Sequence, residues 1–281
     1  MPELPEVESL RRELEPIIVS QPRQQPVTVK ALKLHRADLR FPIPRKLVRE
    51  IQGARILGIR RRSKYLLIDT HRGVLLSHLG MTGSWRVDDG QRLKHDHLRL
   101  EFDDGRALIF HDPRRFGFVD WYRVDQEAQQ SFLRHLGPEP LSEDFHVDAL
   151  WAALRTRQGQ ARKVAIKVLL MDARVVVGVG NIYASEALFR AGLRPSRRPR
   201  SLKHEDLQAL ILAVRQVLSE AIDSGGSTIR DYRGADGRVG EYQQRHFVYD
   251  RAGEACRVCK SVIKAQVMGG RSTFWCPTCQ S

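Results

Sequence analysis

Four cysteines lie in two pairs near the end of the chain, Cys256 with Cys259 and Cys276 with Cys279. Two residues separate the members of each pair, and 16 residues separate the pairs. Such knuckles present four thiolates tetrahedrally, the pattern of a closed, structural zinc site with no open position for catalysis. Two disulfides are the competing reading, disfavoured in a reducing compartment. Lys260, Lys264 and Arg271 fall between the pairs, a basic hairpin suited to phosphates. At its other end the chain begins MPELPEVESL. Removal of Met1 exposes the secondary amine of Pro2. An α-amino group has a reference pKa of about 7.7–8.0, which leaves a substantial neutral fraction near neutral pH. A neutral secondary amine can attack a sugar C1′ and form an iminium, by the logic of a lysine Schiff base. Glu3 stands beside it to move protons. A plainer reading also holds: Pro5, Glu6 and Glu8 begin a helix, where proline suits the first turn and carboxylates complement the dipole. From these residues alone both readings stand.

Two further stretches could touch a polyanion. In VVVGVGNIYASEALF, Gly178 and Gly180 form a tight turn and Asn181 is expected to cap the following helix. The amides of such a helix terminus bind anions, although a well-capped corner is an equally good account. In HDPRRFGFVDW, Arg114 and Arg115 precede Phe116 on a loop. A basic and aromatic pair can wedge between stacked bases, or can be surface arginines beside a core phenylalanine. Met81 sits among glycines in HLGMTGS and is expected on a loop.

These groups need a scaffold, and the chain is long enough to provide two domains. It has 281 residues, a net charge of +14 and a pI of about 10.1. That excess of positive charge favours DNA or RNA as a partner. No apolar run reaches the roughly 18 residues of a membrane span, and no basic-then-apolar leader opens the chain, so a soluble cytoplasmic protein is expected. Residues 27–123 consist of short apolar or alternating runs broken by HRG and DDG turns, which predicts an antiparallel β-sandwich. Val7, Leu10 and Leu14 predict a helix from about residue 5 to 15. After LGPEPLSEDF the period becomes helical in VDALWAALRTR, KVAIKVLLMD, NIYASEALFRAGL and EDLQALILAVRQVLSEAI, and Gly225 and Gly226 end the last helix. The stretch from Gly225 to about Tyr242 is too polar for a core and too long for a routine connection, the mark of a functional or disordered loop.

MPELPEVE, RRSKYLL, HLGMTGS, KHDH, DPRRFG, HLGPEPL, AIKVLLMD, VGVGNIYASEALF and the four cysteines follow one another in this order. Together they closely resemble the formamidopyrimidine-DNA glycosylases, within the formamidopyrimidine/endonuclease VIII family. The resemblance implies an α+β chain of two domains: an N-terminal antiparallel β-sandwich with flanking helices over 2–135, a linker at 136–145, a helix–two-turn–helix domain over 146–242, and a zinc finger over 243–281. It implies a bifunctional DNA glycosylase/AP lyase that excises oxidised purines and then cleaves the strand by β,δ-elimination. Pro2 would be the nucleophile and Glu3 the proton donor that opens the sugar. Lys64 would assist β-elimination at the lesion phosphate, and Arg271 would take part in δ-elimination. Glu6 would support the active site. Met81, Arg114 and Phe116 would fill the gap left by an everted base, and His95, Arg115, Arg162 and Asn181 would contact DNA. The loop at about 225–242, with Ser227, Thr228, Ile229, Arg230 and Tyr232, would cap the lesion. Cys256, Cys259, Cys276 and Cys279 would hold one structural zinc ion. The implied partner is double-stranded DNA containing oxidised bases or abasic sites, bound by a monomer at the nucleoid. An endonuclease VIII-like preference for oxidised pyrimidines is the alternative within the family, and a non-catalytic zinc-dependent damage sensor the alternative outside it. Three residues depart from the family pattern: Lys260 and Asp250 replace common glycines, and His246 replaces an apolar residue.

Overall fold

The computed structural model describes residues 2–19, 26–227, 240 and 242–281, which form two compact units. The first comprises Met1–Arg134 with Ser224–Glu241, and the second His135–Asp223 with Tyr242–Ser281.

The first unit opens with α1 (Leu4–Ile18). Pro5 occupies its first turn, and Val7, Leu10, Leu14 and Ile18 are buried along one stripe. The helix runs past the expected end near residue 15 and through Pro16, and Ile18 at its end is buried in the core. The next elements are β1 (Val29–Leu34), α2 (Arg45–Ile51), β2 (Ile56–Arg62), β3 (Tyr65–Thr70), β4 (Val74–His78), β5 (Ser84–Val87), β6 (Asp96–Phe102), β7 (Ala107–His111) and β8 (Phe118–Tyr122). They form two four-stranded antiparallel sheets, ordered β1-β6-β7-β5 and β2-β3-β4-β8. Leu98, Leu100 and Phe102 alternate along β6 into a core shared with Leu66, Ile68 and Leu75 from the other sheet and with the buried stripe of α1. Trp85 and Trp121 lie in the same core without orphaned polar atoms. Trp85 Nε1 donates to Ser77 Oγ and Trp121 Nε1 to Glu50 Oε2, at 3.0 and 2.7 Å.

The second unit is helical with a terminal hairpin: α3 (Val147–Ala153), α4 (Ile166–Leu170), α5 (Asn181–Arg190), α6 (His204–Asp223), β9 (Lys264–Met268) and β10 (Arg271–Trp275). α6 packs against α3 and α5, and α5 also packs against β10. Phe189 of α5 joins Val248, Ile263, Phe274, Cys256 and Cys276 in a small core beneath the hairpin. Glu186 is fully buried and accepts three backbone N–H bonds, from Phe247, Val248 and Tyr249 at 2.8–3.0 Å. Burial pushes its carboxyl above the usual range, against the pull of those donors.

All three departures from the family pattern acquire a physical meaning here. Lys260 and Asp250 have φ of 65° and 59°, left-handed conformations that glycine adopts without a Cβ penalty. His246 is 4% exposed between the rings of Tyr242 and Tyr249. Burial depresses its pKa to about 4, so it occupies an apolar position as a neutral ring.

Candidate active site and nucleic-acid interface

In the first unit the start of α1 brings Pro2, Glu3 and Glu6 together, all buried. Glu6 reaches back along the first turn, and its Oε2 accepts the Glu3 N–H at 2.7 Å. Its other oxygen, Oε1, accepts the Ser227 N–H at 2.7 Å. One carboxylate therefore ties the N-terminal residues to the root of the segment after α6. Gly226 allows the approach: its φ is +83°, and a Cβ there would lie 2.8 Å from Glu6 Oε1. Thr228, Ile229, Arg230 and Tyr232 lie outside the described residues.

Lys64 occupies the turn between β2 and β3, immediately after Ser63, whose φ of 56° is left-handed. His78 at the end of β4 stacks on Phe118, with ring centroids 5.3 Å apart, and its Nδ1 accepts the Gly80 N–H at 3.0 Å. Burial, and then the charges of Lys64 and Arg40, push His78 down to about 4. A neutral imidazole thus stands between the Lys64 turn and the Met81 loop. His78 opens the HLGMTGS motif, but nothing in its local sequence singles it out.

Met81, Arg114 and Phe116 come from two loops that one carboxylate joins. Asp112 Oδ1 accepts from Thr82 Oγ1 at 2.6 Å and Asp112 Oδ2 from the Gly117 N–H at 2.8 Å, while Thr82 Oγ1 accepts the Arg114 N–H at 3.2 Å. Gly80 completes the junction, since a Cβ there would sit 2.3 Å from Gly117 N. At the rim, the Arg114 guanidinium lies 4.8 Å from the centroid of Phe116, which is 43% exposed. A phenylalanine so exposed is not serving the core, and its cationic neighbour suits insertion among bases. Arg115 is left-handed (φ 55°) and exposed. His95 is half-buried, its carbonyl accepting the Asp112 N–H at 3.0 Å. Thr82 and Asp112, which assemble the constellation, carried no separate signal in the sequence.

In the second unit Asn181 does not cap α5, contrary to expectation. Gly180 is the N-cap residue and Asn181 the first helical one. Its side chain is held elsewhere: Oδ1 accepts from Lys167 Nζ at 2.5 Å and Nδ2 donates to the Ser272 carbonyl at 2.9 Å. The buried ammonium of Lys167 requires an acceptor, and that requirement outweighs the cap. Asn181 is thereby fixed beside the residue that follows Arg271, at the exposed start of β10. Arg162 Nη2 donates to Asp172 Oδ2 at 3.2 Å. Hydrogen bonds from Arg174, with Arg162 contributing, hold Asp172 down to about 2.

The four cysteines converge in this unit with all Sγ atoms within 4.8 Å of one another. Cys256 and Cys279 are 3.9 Å apart and Cys259 and Cys276 3.3 Å apart, sulfur to sulfur. Tetrahedral zinc with Zn–S bonds of about 2.3 Å requires sulfurs about 3.8 Å apart, so the cage fits the metal.

Three family models match the chain in succession. They are described as the formamidopyrimidine-DNA glycosylase N-terminal domain (residues 1–119), its H2TH domain (136–233), and a zinc finger found in FPG and IleRS (253–281). Together with the cage geometry, the last assigns one structural zinc ion to Cys256, Cys259, Cys276 and Cys279. A formamidopyrimidine-DNA glycosylase of Bdellovibrio bacteriovorus is 46% identical over 281 residues, covering 100% of both chains. One of Xanthomonas axonopodis pv. citri is 47% identical over 283 residues, again covering both chains fully. Among solved structures, the MutM (Fpg) protein of Thermus thermophilus superposes with a TM-score of 0.86 at 41% identity, covering 99% of this chain and 98% of that one. Lactococcus lactis Fpg, in complex with DNA containing an abasic site, gives a TM-score of 0.86 at 35% identity, covering 99% of each. With sheets, helices, cysteine cage and N-terminal motif all matched over the full length, the chain belongs to the formamidopyrimidine-DNA glycosylase family.

Proposed function

We propose that this chain is a base-excision-repair DNA glycosylase and AP lyase acting on oxidised purines, 8-oxoguanine opposite cytosine and ring-opened formamidopyrimidines, in duplex DNA. The Pro2 nitrogen, freed by loss of Met1, attacks C1′ of the everted nucleoside. The glycosidic bond breaks, the base leaves with its electron pair, and the proton shed by the Pro2 nitrogen neutralises it. Glu3 delivers a proton to the ring oxygen, the sugar opens, and nitrogen and C1′ become an iminium. The iminium acidifies the C2′ proton. Its removal expels the 3′ phosphate, assisted by Lys64, and a second elimination, in which Arg271 takes part, expels the 5′ phosphate. Everting the base costs a few kcal/mol of stacking, and Met81, Arg114 and Phe116 offset part of that cost by filling the vacated space. His95, Arg115, Arg162 and Asn181 grip the backbone, and the segment after Ser227 covers the lesion. The zinc ion keeps the β9–β10 hairpin folded so that Arg271 is presented on a rigid element. The enzyme acts as a monomer at DNA in the cytoplasm.

The observation that carries this reading is the buried Pro2–Glu3–Glu6 cluster, whose carboxylate is bound to the root of the lesion-capping segment. A protein that only sensed damage has no need of it. Preference among lesions is tested by single-turnover excision from duplexes containing 8-oxoguanine, a formamidopyrimidine or thymine glycol. One related structure, from Lactococcus lactis, holds DNA with an oxidised pyrimidine, which makes thymine glycol the relevant competitor. Faster release of the two purine lesions is expected, and faster release of thymine glycol overturns the purine assignment.

A further inference from the structure

The third glutamate of the N-terminal motif has no place in the chemistry above, yet Glu8 is held by Arg11, Arg12 and Arg61. Glu8 Oε1 accepts from Arg11 Nε and Nη2, at 3.1 and 3.0 Å. Glu8 Oε2 accepts from Nε of Arg61, on β2, at 3.1 Å. The two side chains are only 14% and 10% exposed. From the same guanidinium, Nη1 donates to the Ser63 carbonyl at 3.0 Å. Ser63 is buried and left-handed, and its carbonyl belongs to the peptide that leads into Lys64. Strained backbone persists only where its surroundings hold it, and here one arginine grips the strained carbonyl while a carboxylate grips the arginine. Burial works to raise the Glu8 carboxyl, but Arg11 and Arg61 outweigh it and hold the group ionised below the usual range.

We propose that Glu8 and Arg61 form a strut that fixes the Lys64 turn relative to the helix carrying Pro2, making both positioning residues for strand cleavage. The inference rests on the role given above to Lys64. Neither residue touches the DNA in this scheme. Arg61 sets the direction of the Ser63–Lys64 peptide and therefore where the ammonium stands, and Glu8 keeps Arg61 from turning away. Arg11 remains on Glu8 when Arg61 is removed, so the two ends of the strut can be tested separately.

The test is a double-mutant cycle on the full-length protein. Single-turnover cleavage of a duplex with a preformed abasic site is measured for Glu8→Gln and Arg61→Met, each alone and combined with Lys64→Ala. Thermal unfolding is followed in parallel, and Glu8→Gln, which keeps the side-chain volume, serves if Arg61→Met does not fold. Each strut variant is expected to slow elimination about 10- to 100-fold, the cost of a misplaced group. In the Lys64→Ala background the same substitutions are expected to change the rate by less than about 2-fold. Equal losses in both backgrounds overturn the strut while leaving Lys64 its role. A Lys64→Ala protein that cleaves at the wild-type rate overturns the role of Lys64, and the strut's function with it.

Discussion

Ser227 and Glu6 are 221 residues apart in sequence, and the Ser227 N–H donates to the Glu6 carboxylate at 2.7 Å. The other oxygen of that carboxylate holds the Glu3 N–H. The segment that would cap a lesion is therefore anchored on the helix turn that would attack it. Replacing Glu6 by Gln leaves one acceptor oxygen for two buried donors, and an unpaired buried donor costs about 1–3 kcal/mol. Excision of 8-oxoguanine by Glu6→Gln is expected to fall about 10-fold or more, read in single turnover.

Gly226→Ala separates the anchor from the chemistry. The new methyl group meets Glu6 Oε1, and the backbone there, with φ of +83°, disfavours any side chain. Excision of a damaged base should suffer more than cleavage at a preformed abasic site, where no base is held. Equal losses in the two assays would place the defect in the N-terminal turn and not in the cover.

His246 makes stability depend on pH with a defined sign. Its folded pKa of about 4 lies below the unfolded value of 6.5, so the unfolded chain binds the additional proton. Its contribution is complete above the unfolded value and is lost as pH falls toward the folded one. Between about pH 7.5 and 5.5 the loss is about 1 kcal/mol. His246→Leu is expected to flatten this part of the stability profile relative to wild type in denaturant melts, and parallel profiles would refute the assignment.

The left-handed residues predict a gain in stability. Lys260→Gly removes a Cβ penalty of about 1 kcal/mol, and Asp250→Gly less, because aspartate tolerates this conformation better. An increase in thermal midpoint of a few degrees is expected for Lys260→Gly with zinc bound, and a fall would show that the lysine side chain contributes more than its backbone costs.

What could be read from the sequence was set by short-range regularity. Alternation in stretches such as HLRLEF marks the sandwich, helical spacing in EDLQALILAVRQVLSEAI marks α6, and the two cysteine pairs mark the metal cage. Long-range pairing left no such trace. Thr82 meets Asp112 across 30 positions, Arg61 meets Glu8 across 53, and Ser227 meets Glu6 across 221. Asn181 shows the same limit in reverse: it follows a glycine turn as a cap should, but a buried lysine 14 residues earlier takes its oxygen. Local rules state what a side chain can do, and the fold determines which partner it meets.

The zinc hairpin should govern affinity without being required for the sandwich. Chelation of zinc, or Cys256→Ser, is expected to abolish tight DNA binding while the β-sheet circular dichroism persists. Arg271→Ala, with zinc retained, is expected to lower the slope of log K against log salt by about 1, the signature of one lost phosphate contact. An unchanged slope would remove Arg271 from the backbone grip.

In the proposed reaction a covalent bond forms between the Pro2 nitrogen and C1′ of the lesion nucleotide. Borohydride reduction during turnover, followed by peptide mapping of the trapped protein–DNA adduct by mass spectrometry, tests it most directly. The expected adduct lies on a peptide that begins at Pro2 and lacks Met1, and Pro2→Gly is expected to give no adduct at the wild-type rate. An adduct mapped to Lys64, or full activity from protein that retains Met1, would contradict it.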